Sequence, residues 1–226
     1  MSRFPFQIAA LGLAALGVCS ATSACNSGSS DSKTGATSGN GDNAGKAAKP
    51  ASATTVVLGP SGTQVARLSM TPDGKGCTHS AGAEVTITRD AAGTLVAKDG
   101  TDKTLGSVVP NPHGAALRDA SGNIVGRVVH PPRLQAVSVI DKIGVAKFRI
   151  RVDQKGRAVV RDKASMPVAI VQPRGGRYVV EAKDGTVQAY VTGQHDPIVA
   201  ALLTAELVEP QFRGLLACDW TLGKTK

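Results

Sequence analysis

VTITRDAAGTLVAKDGTDKTLGSVVP (85–110) and FRIRVDQKGRAVVRDKASMPVAIVQP (148–173) match each other without a gap at a shift of 63 residues. In both stretches short apolar runs alternate with breaks of the form Asp-x-x-Gly, such as Asp90 to Gly93 and Asp153 to Gly156. Asp opens turns through side-chain bonds to the backbone, and Gly accepts a positive φ. The pattern predicts a strand–turn–strand–turn–strand unit that occurs twice. Two unrelated sets of hairpins with similar spacing of strands and turns could also match by coincidence.

Outward from this repeat, similar runs and breaks continue from about Thr54 to Thr192. Several short strands at such spacing indicate an all-β sandwich or barrel. Residues 54–226 are enough for one substantial core. We therefore predict one mainly β domain of short antiparallel strands.

The pattern changes after Thr192. Asp196 is a good helix N-cap and Pro197 suits the first helical position. The following segment IVAALLTA (198–205) is apolar on every face, and Pro210 ends the pattern. A helix over about 197–208 is too short to span a bilayer, so we expect it to be buried inside the β structure. The run Leu215–Cys218 predicts a last strand.

This arrangement resembles the tubby-like barrel, the superfamily of tubby proteins, phospholipid scramblases and LURP-one-related proteins. The ending FRGLLACD (212–219) is similar to the tubby ending, and LRDASGNIVG (117–126) is similar to LURP-one and scramblase repeats. The resemblance implies a β-barrel that encloses one hydrophobic C-terminal helix. The tubby phosphoinositide-binding residues have no counterparts that can be placed in this sequence.

The beginning of the chain predicts export. Arg3 precedes an uncharged apolar run, IAALGLAALGV (8–18), and then small residues lead to Cys25. This order is typical of a secretory signal peptide. TSAC (22–25) resembles the lipobox of bacterial lipoproteins, with Thr22 where an aliphatic residue is usual. We predict a signal peptide over 1–24 and lipidation of Cys25; the alternatives are lipidation at Cys19 and an unlipidated secreted protein.

Residues 25–53 contain no aromatic side chain and no aliphatic one larger than Ala or Pro. Such a segment cannot offset the entropy of ordering, which predicts a disordered tether. The expected location is the cell envelope, with the domain anchored by lipid outside the cytoplasm, on the outer membrane or the periplasmic face. Cleavage before Cys25 leaves Cys77 and Cys218, which suggests a disulfide in an oxidising compartment; two buried free thiols are the alternative.

The chain carries a formal net charge of +9. Between Asp141 and Lys183 there are eleven basic and four acidic side chains. Strand alternation places Phe148 and Ile150 inward and Arg149 and Arg151 outward. We define the basic face as the predicted contact surface for anionic lipid headgroups or envelope polymers: Arg149, Arg151, Arg157 and Arg161. A merely solvated outer face would give the same pattern. Nucleic acid is not expected, because aromatics are only 3% of the chain.

No catalytic set, metal site or cofactor motif is predicted. The four histidines are His79, His113, His130 and His195, and they form no i, i+4 pair. The favoured function is therefore a non-enzymatic binding or structural module. Two alternatives stay open: a cell-envelope hydrolase with a site near His79, and a lipid-handling protein similar to scramblases.

Overall fold

The computed structural model of the chain describes residues 53–112, 114–131, 134–193 and 196–223. The predicted signal peptide and Cys25, with nearly all of the predicted tether, lie outside the described residues. The described part contains fourteen strands and two helices. The strands are β1 Thr54–Leu58, β2 Gln64–Met70, β3 Gly76–Ala81, β4 Ala83–Arg89, β5 Leu95–Asp99, β6 Thr104–Asn111, β7 Gly114–Asp119, β8 Ile124–Val129, β9 Ala136–Ile140, β10 Ala146–Val152, β11 Ala158–Asp162, β12 Pro167–Arg174, β13 Arg177–Ala182 and β14 Val187–Gly193.

The strands form a closed antiparallel barrel. Each strand pairs with its neighbours in the chain, and β1 pairs with β14, with Val57 opposite Val191. The prediction of a mainly β barrel of short antiparallel strands is confirmed. Closure leaves no unpaired sheet edge, which removes the usual route to edge-to-edge association.

An up-and-down barrel has its turns at two ends. We call one end the distal end; it carries the β1–β2, β3–β4, β5–β6, β7–β8, β9–β10, β11–β12 and β13–β14 turns. We call the other the proximal end; β1 begins there and β14 finishes there. The two ends present different side chains, as described below.

The turns have the chemistry that the sequence predicts. The Asp90 carboxylate accepts a hydrogen bond from the Thr94 amide at 2.8 Å, and Gly93 has φ +85°. The strands β4, β5 and β6 have bounds that recur in β10, β11 and β12 at a shift of 63 residues, as do those of β7 in β13. The repeated sequence therefore corresponds to repeated strands of the barrel.

Two helices follow β14: α1 Pro197–Thr204 and α2 Pro210–Gly223. The Asp196 carboxylate caps α1 by accepting from the Ile198 amide at 2.8 Å. The prediction of a single helix over 197–208 is wrong in extent, since α1 ends at Thr204. The predicted last strand over Leu215–Cys218 is also wrong, because this run lies within α2.

The helices fill the barrel. An eight-stranded barrel is about as wide as its own side chains can fill, so fourteen strands leave a lumen that needs other apolar groups. Helix α1 packs against β1 and β10–β13, while α2 packs against β2–β6. Residues Ile198–Leu203 of α1 are all at most 3% exposed. In α2 the apolar side chains that are buried come from most of its turns: Phe212, Leu215, Leu216, Ala217, Cys218, Trp220 and Leu222.

Candidate functional site

The predicted basic face lies on the outer surface of the β10–β11 hairpin. Arg149 stands directly opposite Arg161 across the two strands, and Arg151 stands opposite Val159. The intervening Phe148 and Ile150 are at most 2% exposed and point into the lumen. The alternation predicted for this strand is therefore present, and it directs Arg149, Arg151 and Arg161 to solvent.

Arg157 differs from the other three arginines. It lies at the proximal turn, where its Nη2 and Nε atoms are 2.7 and 2.8 Å from Oδ2 of Asp153. Hydrogen bonds from the backbone amide and then the side chain of Arg157 lower the pKa of Asp153. The charge of Arg157 is thus largely neutralised by Asp153 in its own turn.

The other three guanidinium groups have no ion pair to any of the residues that the structure describes. Arg161 donates from Nη1 to the Ser165 carbonyl oxygen at 2.8 Å, a contact that leaves its charge uncompensated. Like charges directly opposite on neighbouring strands are destabilising. The Arg149–Arg161 pair therefore costs stability, and no ion pair among the described residues offsets that cost.

A groove of about 460 Å³ runs along this hairpin. Its lining comprises four cations, one acid and three neutral residues: Arg151, Lys155, Arg157, Arg161, Asp153, Val152, Gln154 and Val159. Cations therefore outnumber acids in this open groove, which gives an anion a net positive surface to contact.

Cys77 of β3 and Cys218 of α2 are joined by a disulfide, with their Cα atoms 6.0 Å apart. Both residues are 0% exposed. The bond ties the second helix to the wall of the barrel across a separation of 141 residues. It is a structural link that is shielded from solvent.

His79 is buried in the lumen, with 5% of its surface exposed. An ideal Cβ built on Gly214 would lie 2.6 Å from Nδ1 and 2.7 Å from Cβ of His79, so the His79 side chain lies close against α2 at Gly214. Its Nε2 atom has no hydrogen-bond partner among the described residues. Burial, and then the charge of Arg213, lower the pKa of His79. A cleft of about 360 Å³ has His79 in its lining, together with Arg67, Glu84 and other residues of β2–β4. No hydrogen bond joins Nε2 to a polar side chain there, so the described residues show no paired general base at His79.

A polar cluster at the proximal end is not predicted from the sequence. His130 Nε2 lies 3.0 Å from Oδ2 of Asp219, and the His130 and Trp220 rings are 5.3 Å apart. Trp220 donates from Nε1 to the second carboxylate oxygen of Asp196 at 3.0 Å. Burial, and then the charge of Asp196, raise the pKa of Tyr178 nearby. These contacts fix the start of α1 to the end of α2.

His113 and His195 lie outside the described residues. Within the described residues no group of three His, Cys, Asp or Glu side chains is placed to hold a metal ion. Neither described helix combines the length and the apolar character needed to cross a bilayer.

The comparisons with known proteins give no relative. The chain matches no protein-family model, no curated protein and no solved structure. Function must therefore be argued from the basic face itself.

Proposed function

We propose that this chain is an exported lipoprotein, anchored to the envelope membrane through Cys25, whose barrel is a non-enzymatic binding module. The basic face binds a polyanionic surface of the envelope, either lipid headgroups or an acidic polymer. One observation carries the proposal: Arg149 and Arg161 are paired across two strands on an exposed face without a neutralising acid among the described residues.

Two arginines directly opposite each other repel, and an external anion that bridges them converts this cost into binding free energy. Guanidinium groups bind phosphate and carboxylate in a bidentate manner, which favours such a bridge. Near an anionic membrane each basic side chain contributes about 1 kcal/mol.

The tubby-like resemblance stays a prediction. A barrel with apolar helices in its lumen supports it, while the second helix departs from what it implies. The scramblase-like alternative needs a groove or tunnel beside the helix. Instead, the space between the helices and β1–β6 and β10–β13 is occupied by buried apolar side chains, which gives that alternative no support.

A vesicle-binding experiment tests the basic face. The full chain carries Cys25→Ser, so that no acyl chain contributes, and Arg149, Arg151 and Arg161 are changed to Glu. Binding to vesicles of phosphatidylcholine with phosphatidylglycerol should fall by about a hundredfold or more, because three favourable contacts of about 1 kcal/mol are lost. Purified acidic envelope polymer, immobilised, provides the second ligand arm.

The matched control reverses three exposed cations on another part of the barrel: Arg67, Lys75 and Lys103. It makes the same change in net charge, so any difference between the two triple variants reports position and not total charge. Equal losses in both, or unchanged binding of the basic-face variant to every ligand, would show that this face is only a solvated surface.

The anchor is tested separately by intact mass. Protein taken from membranes should have lost residues 1–24 and carry acyl chains on Cys25. Reduction should then add two hydrogens, one to Cys77 and one to Cys218. A mature chain without acyl chains would exclude the lipoprotein assignment while leaving the basic face untouched.

A further inference from the structure

Exposed apolar side chains are concentrated at the distal end of the barrel. Seven large hydrophobic residues are exposed in the part of the chain that the structure describes. Leu134 lies in the β8–β9 connection at the proximal end, and the other six lie at the distal end or in the connection between the helices there: Val65, Ile124, Ile143, Val145, Met166 and Leu207. Exposed apolar side chains gathered at one end of a protein indicate a contact site for a membrane or another protein.

Four of these side chains lie in three successive distal turns or at the strand end beside one of them. Ile124 begins β8 after the β7–β8 turn, Ile143 and Val145 lie in the β9–β10 turn, and Met166 lies in the β11–β12 turn. The strands that carry these turns are neighbours in the barrel, since β8 pairs with β9 and β10 pairs with β11. We call Ile124, Ile143, Val145 and Met166 the apolar rim; Ile143 is 78% exposed and the other three are 47–50% exposed.

The aspartate carboxylates of these turns accept hydrogen bonds from backbone amides of rim residues. Oδ1 of Asp141 accepts from the amides of Ile143 and Val145 at 3.0 and 2.8 Å. Oδ1 of Asp162 accepts in the same way from the amide of Met166 at 2.9 Å. The carboxylates are therefore turned back into their loops.

Exposed lysines adjoin the same residues. Lys142 directly precedes Ile143 at the tip of one turn, and Lys163 lies in the next distal turn beside the rim. Each tip thus presents a projecting apolar side chain with a cation beside it.

We propose that the apolar rim penetrates the interface of a phospholipid bilayer, with Lys142 and Lys163 at the level of the phosphates. Protein interfaces are depleted in lysine at their centres, whereas lysine beside buried apolar surface keeps its ammonium at the polar boundary of a membrane. Projecting tips also suit insertion between headgroups better than they suit a complementary protein surface. The rim adjoins the basic face, because Arg161 donates to the Ser165 carbonyl oxygen beside Met166. It consists of different side chains and different chemistry, so it concerns a contact beyond the proposed function.

The position of the rim is compatible with a lipid on Cys25. The chain enters the barrel at the proximal end, opposite the rim. Residues 25–53 have a maximum reach of roughly 90 Å, while the longest strands have eight residues and extend for about 27 Å. The predicted tether is long enough for the distal end to reach the bilayer that holds the anchor.

The test uses the full chain with Cys25→Ser and the further changes Ile143→Ser and Met166→Ser. Binding to phosphatidylcholine vesicles is measured at about 0.5 M salt, where charge interactions are screened. We expect a fall of about a hundredfold, roughly tenfold for each side chain withdrawn from the interface. Reversal of Arg149 and Arg151 alone, with Arg161 kept because it bonds to the turn of Met166, should leave this salt-insensitive binding unchanged, so that the two proposals fail separately.

The matched control is Leu134→Ser at the proximal end, compared with Ile143→Ser alone; the Leu134 side chain is 48% exposed. This control should bind as the parent does, and all variants should have the same thermal unfolding midpoint because every changed side chain is exposed. Equal binding by rim variant and parent overturns the proposal. So does a parent that is dimeric in solution and becomes monomeric on rim substitution, since the rim would then serve a second copy.

Discussion

Gly214 lies where α2 meets the ring of His79, and replacing it with Ala tests how tightly the lumen is filled. The added Cβ would lie 2.6 Å from Nδ1 of His79, well inside any real carbon contact. Such overpacking costs about 1–3 kcal/mol. Ala recovers up to about 1 kcal/mol in helix propensity, so we expect a net loss of about 1–2 kcal/mol. For a domain of this size the unfolding midpoint should fall by roughly 2–8 °C.

Urea denaturation followed by circular dichroism measures the loss, and α2 supplies its own control. A Cβ on Gly223 would meet nothing within 4 Å, so Gly223→Ala should change stability by less than about 0.5 kcal/mol. In a His79→Gly background, which removes the Cβ as well as the ring, the cost of Gly214→Ala should largely disappear, which gives a coupling energy of about 1–2 kcal/mol. If Gly214→Ala is harmless, or equally costly without the His79 side chain, the packing argument is refuted.

Three further perturbations address the links that hold the helices in place. Changing Cys77 and Cys218 to Ala should lower the unfolding free energy by about 5 kcal/mol, from the loop entropy of a 141-residue separation; a loss under 1 kcal/mol by urea denaturation would contradict this. The pKa of His79 is lowered from 6.5 by burial, so the unfolded chain takes up a proton first and stability should decline as the pH falls through 6.5 towards 5. His79→Gln should flatten that decline in urea midpoints, and parallel profiles would count against it. Asp196→Ala removes the acceptor for the Ile198 amide and Trp220 Nε1, and should lower the unfolding free energy by about 1–3 kcal/mol. Trp220 emission reports the unfolding transition. A loss of less than about 0.5 kcal/mol would exclude the capping role.

The hairpins could be predicted because their signals are local. In the turn after Asp153, for example, one carboxylate oxygen accepts from the amides of Lys155 and Arg157. Gly156 takes the positive φ that the turn requires. These contacts span only a few residues, so residue type at fixed spacing is enough to indicate them.

Closure of the sheet could not be predicted in the same way. The pairing of Val57 with Val191 joins residues from opposite ends of the described chain. A sandwich and a barrel give the same alternation of buried and exposed side chains, and only this long-range pairing distinguishes them. The sequence pattern therefore limits the fold to a class without selecting its closure.

The second helix was missed for a definite reason. The run Leu215–Cys218 is short and apolar, which is equally typical of a buried strand. The spacing of Phe212, Leu215, Leu216 and Trp220 is that of one helix face, and Pro210 occupies a favourable first position. The wider window from Pro210 to Gly223 therefore carries the spacing and the start signal of a helix, which the four-residue run alone does not.

For the candidate site, alternation alone predicted the outward direction of Arg149 and Arg151. The ion pair of Arg157 with Asp153 depends on side-chain geometry within a turn, which spacing does not determine. The cross-strand position of Arg161 opposite Arg149 depends on register, which is a tertiary property. The structure thus narrows the basic face to three arginines with uncompensated charge.

The order of the strands and helices along the chain also determines when the barrel can fold during synthesis. Strand β14 and both helices are the last described segments to emerge during synthesis, yet β14 closes the sheet and the helices supply the centre of the core. Until they arrive, the earlier strands form an open sheet with two unpaired edges and an empty apolar concavity, which favours aggregation. Stable folding therefore waits for the residues after Val187, and during that interval a carrier that covers exposed edges would protect the unfinished chain.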